Sequence, residues 1–319
     1  MQLDSIRELK QTLQLQDVLA VSAAEGGSML AAGHPEAVVE TEPTLALGAA
    51  PTGTPGDYKL AVSVQRPDLM ASRELDRITE AARGEVEVAF VGPGFKQSGN
   101  TGRARPLEIG CSIGHPNITA GTLGCFVELP DDGLCVLSNN HVLADEDRAQ
   151  PGSAIVQPGR SDGGAAPEDV IGTLARVIPL SVDARNRVDA ATAAVHGVDV
   201  DPRRVPGLGD LQGSSELTGR ESLAKVGRTS GLTRGRVFAI DVDGISVAYE
   251  KGTVVFDGVV QIEGTGGLFT RGGDSGSVVV TDDSAPYAVA LHFAGLANGH
   301  AVCAPMTTVL AELGATLVR

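Results

Sequence analysis

The chain has 319 residues, 42% of them hydrophobic and 20% charged, with four cysteines, no Trp and a formal net charge of −15. That size and apolar content allow one large domain or two ordinary ones, with a core filled chiefly by Val, Ala and Leu because only 3% of residues are aromatic. So acidic a surface repels phosphate backbones, which argues against nucleic acid as a partner, and no apolar run reaches bilayer length, so no membrane partner is expected. Residues 1–20 carry charges throughout, unlike a secretory signal, and they place Ile6, Leu9 and Leu13 on one helical face. Residues 33–57 are rich in Pro, Gly, Ala and Thr, the composition of a flexible linker. Residues 59–65 alternate like a strand, residues 70–83 read as a helix with Leu75, Ile78 and Ala82 on one side, and residues 85–92 read as a second strand. This β-α-β unit is too small to be stable alone. An irregular stretch follows to residue 106.

From Leu107 onward short valine-rich strands alternate with Gly, Asp, Asn and Pro turns. "GTLGCFVELPDDGLCVLSNNHVL" predicts a hairpin turning at Pro130-Asp131-Asp132-Gly133. With the turn centred on Asp131-Asp132, Cys125 and Cys135 fall on opposite faces of it. "DVIGTLARVIPL" and "VDAATAAV" predict further strands. A second series opens near Leu223, and residues Thr307 to Leu317 have helical spacing. Two sets of about six strands and a closing helix predict a mainly β fold of two six-stranded barrels with a small α/β N-terminal appendage. The expected divisions are 1–57 (helix and linker), 58–106 (β-α-β appendage) and 107–319 (the barrels). The four cysteines are scattered, so all are read as reduced thiols of a cytoplasmic protein.

The stretch "RGGDSGSVVV", Arg271 to Val280, sets Gly273-Asp274-Ser275-Gly276 before a run of valines. Such residues make a turn before a strand; they can also hold a serine at a bend with backbone N–H groups aimed at one point. A serine hydroxyl becomes a nucleophile only when a base removes its proton. Of six histidines (His34, His115, His141, His196, His292 and His300), His34 lies in the linker, whereas His141 ends a predicted strand in "LSNNHVLA". An imidazole base needs an acid to hold its tautomer. Asp189, in "NRVDAATAAV", starts another strand of the same set, with Asp183 as a nearby rival. The chain order is His141, Asp189, Ser275. No His/Cys/Asp spacing suits a metal, and "GTGGLFTRGGDSG" lacks the Lys-Ser/Thr of a phosphate loop, so neither metal nor cofactor is expected.

"SNNHVLA", "VDAATA" and "GGDSGSVVV", in that order and followed by "ALHFAG", resemble a chymotrypsin-fold, trypsin-like serine protease over Leu107 to Arg319. "KVGRTSGLTRGRV" resembles the segment that opens the second barrel in bacterial trypsin-like proteins and their plant narrow-leaf relatives. The resemblance implies a site in the crevice between two barrels, with His141 as general base, Asp189 orienting it, Ser275 as nucleophile, and the N–H groups of Gly273 and Ser275 as oxyanion hole. It implies a serine endopeptidase acting on protein or peptide substrates through an acyl-enzyme. A non-catalytic scaffold keeping the protease fold, or a protease that cuts only itself, are the other readings.

In animal members of that family the aspartate before the serine pairs with an N-terminus made by cleavage. For Asp274 either an internal cation serves, or the chain is processed, with Glu108-Ile109-Gly110 as a candidate new start. In that family the strand after the serine walls the primary specificity pocket. The corresponding residues are His292, Ala294 and Gly295, with Phe269 at the position six before Ser275. Phe269 offers no counter-charge to Lys or Arg. His292 is either a donor to a Glu or Gln side chain or a buried residue bonded to backbone. Cleavage after Glu, Gln or a medium apolar residue is expected. The N-terminal region is expected to dock on the barrels, covering the crevice or building a homo-oligomer.

Overall fold

The computed structural model describes residues 1–15, 45–91, 94–95, 101–265 and 267–318. Helix α1 spans Leu3–Leu15, with Ile6 and Leu13 buried and Leu9 partly so. Residues 16–20 of the expected helix, and 33–44 of the expected linker with His34, lie outside the described residues. The rest of the linker is not one: Leu45–Pro51 is a buried strand, β1, paired antiparallel with β2, Tyr58–Val64. Its small side chains mimic linker composition, but they are what the packing requires. A Cβ on Gly48 would collide with Val242.

The β-α-β unit forms as expected. Helix α2, Arg73–Ala81, is capped by the Ser72 hydroxyl accepting from Leu75 N–H at 3.2 Å, and is preceded by a 3-10 turn, Pro67–Ala71. It is shorter than the predicted 70–83 because that cap sets its start. Strand β3, Val86–Phe90, lies parallel to β2. Of the stretch expected to be irregular, Gly94–Phe95 is a short strand.

The first strand set comprises β4 (Cys125–Leu129), β5 (Gly133–Ser138), the one-turn helix α3 (Asn140–Leu143), β6 (Ala154–Val156), β7 (Val170–Val177) and β8 (Ala191–Val195). Leu129 pairs with Gly133, which has φ 66°, so the hairpin loop is the three residues Pro130-Asp131-Asp132. That extra loop residue shifts the register by one. Cys125 and Cys135 therefore share a face, contrary to the two-residue turn. All four cysteines are unpaired thiols. Burial pushes those of Cys111 and Cys125 up to about 12, so neither is a thiolate nucleophile at neutral pH.

The second set comprises β9 (Ser222–Gly227), β10 (Gly231–Asp243), β11 (Ile245–Tyr249), β12 (Gly252–Phe256), β13 (Val259–Gly264), β14 (Val278–Thr281), β15 (Tyr287–Gly295) and β16 (Ala301–Pro305), then α4 (Met306–Leu313) and β17 (Thr316–Leu317). The expected closing helix stops at Gly314, whose φ of 58° caps it. The chain then returns as β17 to pair with β4.

The fold is mainly β. Strands β9-β10-β13-β16-β15-β14 pair in a complete ring, a closed six-stranded barrel. The first set is a six-stranded sheet in the order β6-β7-β8-β5-β4-β17 and does not close by a continuous ladder. A separate two-stranded piece, Ser112–Ile113 with Gly121–Thr122, is tied to β6 by a single bridge from Gly114 to Val156. The appendage is continuous with the closed barrel, since β1 pairs with β10, Ala49 opposite Ile240. Helix α1 is tied there too: Lys10 Nζ lies 2.9 Å from Asp243 Oδ2 and Arg7 Nε donates to Asp241 at 3.0 Å.

Candidate active site

His141 does not end a strand. Strand β5 stops at Ser138, and one buried helical turn, α3, turns the chain away from the sheet. The Asn139 side chain donates to the Asp189 carbonyl at 2.7 Å, fastening that turn to the chain entering β8. His141 N–H donates to Asp189 Oδ1 at 3.3 Å, and its ring Nδ1 lies 2.5 Å from Asp189 Oδ2. The Tyr249 hydroxyl, from β11, donates to the same Oδ2 at 2.7 Å. Asp189 is fully buried. Burial pushes its carboxyl up, but the facing His141 ring and the bonds from His141 and Tyr249 outweigh it and hold it below the usual carboxylate range. Burial and the facing Asp189 push Tyr249 well above its ordinary value, so it remains a donor. With Nδ1 carrying the proton, the other ring nitrogen, Nε2, is an acceptor; it is buried and has no hydrogen-bond partner among the described residues. The rival Asp183 is exposed on a loop, its N–H bonded to Ser181 Oγ at 3.2 Å.

Ser275 sits on a bend between Arg271 and β14. Asp274 N–H donates to Arg271 O at 3.1 Å and Ser277 N–H to Asp274 O at 3.0 Å. Gly276 has φ 95°, and a Cβ there would collide with Ser138 and the Thr122 carbonyl, so only glycine fits. Thr122 N–H donates to Ser275 O, and Thr122 Oγ1 to Gly273 O, both at 2.8 Å. The bend is thereby pressed onto the first strand set. Gly121 marks the closest approach: a Cβ on it would touch Val142, the residue after His141, and lie 2.9 Å from Ser275 O. The N–H groups of Gly273 and Ser275 donate to no acceptor among the described residues. The Ser275 hydroxyl donates to Phe293 O at 3.3 Å, and Ser275 is fully buried.

An internal cation meets Asp274. Lys225 Nζ, from β9, lies 2.8 Å from Asp274 Oδ2, and both side chains are completely buried. Ser230 Oγ donates to Oδ2 at 2.6 Å, Arg271 N–H to Oδ2 at 2.9 Å and Thr229 N–H to Oδ1 at 2.9 Å. Burial pushes the Asp274 carboxyl up, but the Lys225 charge and these bonds hold it below its ordinary value. Ile109, the candidate new start, is buried in the core.

All four pocket candidates are buried. Phe269 is a core residue of the closed barrel, its ring 5.5 Å from Lys225 Nζ. His292 is fully buried, with Nδ1 3.2 Å from Val302 O and Nε2 2.6 Å from Thr270 Oγ1. Nδ1–H donates to the carbonyl and Nε2 accepts from the threonine, so no ring N–H is left for a substrate carboxylate. Ala294 and Gly295, both in β15, are buried as well.

Burial, helped by the Lys225 charge, lowers His292 to about 3. The unfolded chain protonates this ring near its ordinary value, so between about pH 6.5 and pH 3 the unfolded state binds more protons and stability falls as pH falls. Urea unfolding is expected to lose up to about 1.4 kcal/mol per pH unit from this group across that window. His115 and His300, also lowered by burial, add to the slope. His292→Gln should flatten it; an unchanged slope would show that His292 does not titrate this way.

Sequence reasoning missed Tyr249, Lys225 and Thr122. Lys225 carries a signal in hindsight, a lone cation inside the apolar strand "SLAKVG". Tyr249 and Thr122 carry none, because their roles depend on partners 60 and 151 positions away.

No protein-family model and no curated protein matches the chain. Among solved structures it is similar to Thermobifida fusca protease A at 19% identity, over 66% of this chain and 99% of that one, with a TM-score of 0.46. It is similar to Cellulomonas bogoriensis chymotrypsin at 16% identity, over 66% and 99%, with a TM-score of 0.45. It is also similar to a glutamic-acid-specific serine protease described as using a histidine triad in substrate binding, at 18% identity over 66% and 100%, TM-score 0.45. Each of these likenesses extends over about two-thirds of this chain.

Proposed function

We propose that the chain is a serine endopeptidase. The observation that carries this reading is the His141 ring: its Nδ1 is bound to a buried carboxylate, and its Nε2 is a buried acceptor with no partner among the described residues. Such a nitrogen takes the proton of a serine hydroxyl as that hydroxyl attacks a carbonyl. Ser275 attacks the scissile carbonyl, and the N–H groups of Gly273 and Ser275 receive the developing oxyanion. Imidazolium returns its proton to the leaving amine, and an acyl-enzyme forms. Water, deprotonated by His141, attacks the ester and releases the acid. Asp189 keeps the tautomer and stabilises the imidazolium, and Tyr249 holds Asp189.

A fluorophosphonate probe, mapped by peptide mass analysis, tests the reading: the label is expected on Ser275, and a label elsewhere or nowhere would refute it. Tyr249→Phe removes one bond to the buried carboxylate, and kcat is expected to fall about tenfold with little change in KM. A loss confined to KM would place Tyr249 on the substrate instead. The alternative, an interaction scaffold, draws on one observation: the Ser275 hydroxyl is buried and held by Phe293 O.

A further inference from the structure

The sheet edge nearest Ser275 is already occupied. In β15 the Phe293 carbonyl accepts the Ser275 hydroxyl, and two residues further on Gly295 pairs antiparallel with Phe95. The same short strand pairs in parallel with β11, Gly94 opposite Val247 and Phe95 opposite Ala248. It therefore fills the position between β11 and β15. The chain is also fastened on the other flank of the bend. Thr101 Oγ1 donates to Arg228 O at 2.9 Å, Arg228 N–H donates to Thr122 Oγ1 at 3.1 Å, and that hydroxyl donates to Gly273 O. Gln157 holds the next residues, donating to Gly102 O and accepting from Ala104 N–H, both at 3.1 Å.

An extended peptide is recognised at a sheet edge through its backbone N–H and C=O groups, and an edge already paired is closed to it. A peptide lying antiparallel beside Gly295 runs toward Phe293, hence toward the Ser275 hydroxyl. That is the direction in which a substrate would bring its carbonyl to the nucleophile. We propose that Gly94–Phe95 is a self-inhibitory strand: the full chain holds part of itself at its own peptide-binding edge, and a peptide substrate reaches Ser275 only when this strand is displaced. The inference rests on the endopeptidase reading and adds a latent state to it. A tethered segment acts at an effective concentration of roughly millimolar, which a dilute substrate competes against poorly.

The test uses the full chain and its Phe95→Pro variant, in which residue 95 has no backbone N–H to give to a neighbouring strand. With a short chromogenic peptide, kcat/KM of the variant is expected to rise about tenfold or more, while a fluorophosphonate labels Ser275 in both proteins. Equal kcat/KM with Ser275 labelled in both would overturn self-inhibition and leave the endopeptidase reading intact. Failure to label Ser275 in either protein would overturn that reading and this inference with it. A second measurement needs no variant: hydrogen exchange at the Phe95 amide before and after a peptidyl phosphonate is attached to Ser275, with attachment verified by mass. Faster exchange in the adduct is expected; unchanged protection would overturn the proposal even if the variant does not fold.

Discussion

Ser275→Ala is expected to abolish hydrolysis of peptides and esters, a loss on the order of 10⁶ in kcat, without unfolding the protein. The hydroxyl makes one hydrogen bond, at 3.3 Å to Phe293 O, so the stability change should stay within about 1 kcal/mol. His141→Ala should lose nearly as much activity. Asp189→Asn should cost roughly 10⁴ in kcat, because an amide in that place can present the ring in the wrong tautomer. Steady-state kinetics beside a thermal melt would separate these effects from loss of fold. Undiminished hydrolysis by the Ser275 variant would mean that the nucleophile is another residue. Because the intact chain is proposed to be latent, these rates are best compared in the Phe95→Pro background as well.

Lys225→Met is expected to destabilise the protein by about 3–5 kcal/mol, the cost of leaving one member of a buried ion pair without its partner. Hydrolysis should fall at the same time, since Asp274 adjoins Ser275 and bonds to the backbone N–H groups of Arg271, Thr229 and Ser230. Combining Lys225→Met with Asp274→Asn should cost less than the sum of the two single changes, since no uncompensated charge is then buried. Urea unfolding of the three variants measures this. Additive losses would show that the two side chains act independently. The cation belongs to β9, so the bend does not wait for a cleavage to create its counter-charge, and latency is proposed to come from an occupied edge and not from an unformed oxyanion hole.

What could be read from residues alone was whatever has a local signature. "GGDSGSVVV" announces a bend before a strand, "SLAKVG" and "AVALHFAG" announce strands, and the order of His141, Asp189 and Ser275 made one constellation worth testing. The structure brings the helix of His141 and the bend of Ser275 together across Gly121, and fixes the ring of His141 on Asp189. The misreadings came from places where tertiary context overrides local pattern. The Ala- and Gly-rich segment at 45–50 reads as a linker until β10 lies against it. Between the two readings of His292, donor or buried residue, the sequence does not choose; Thr270 and Val302 do, by claiming both ring nitrogens. The faces of Cys125 and Cys135 turned on a single loop residue, which a hairpin signal does not specify.

The pairing of β1 with β10 has a consequence in time. Leu47 meets Asp243, a residue made about 200 positions later, and at roughly 5–20 residues per second the ribosome takes about 10–40 s to deliver it. The β1–β2 hairpin can form at once, since its partners are near in sequence. During that interval the outer edge of a strand composed of Leu, Ala and Gly stands uncovered on the nascent chain, a site for pairing with a neighbouring polypeptide. The yield of folded protein should therefore depend on how long that edge waits, and slower synthesis of the second half of the chain should lower it.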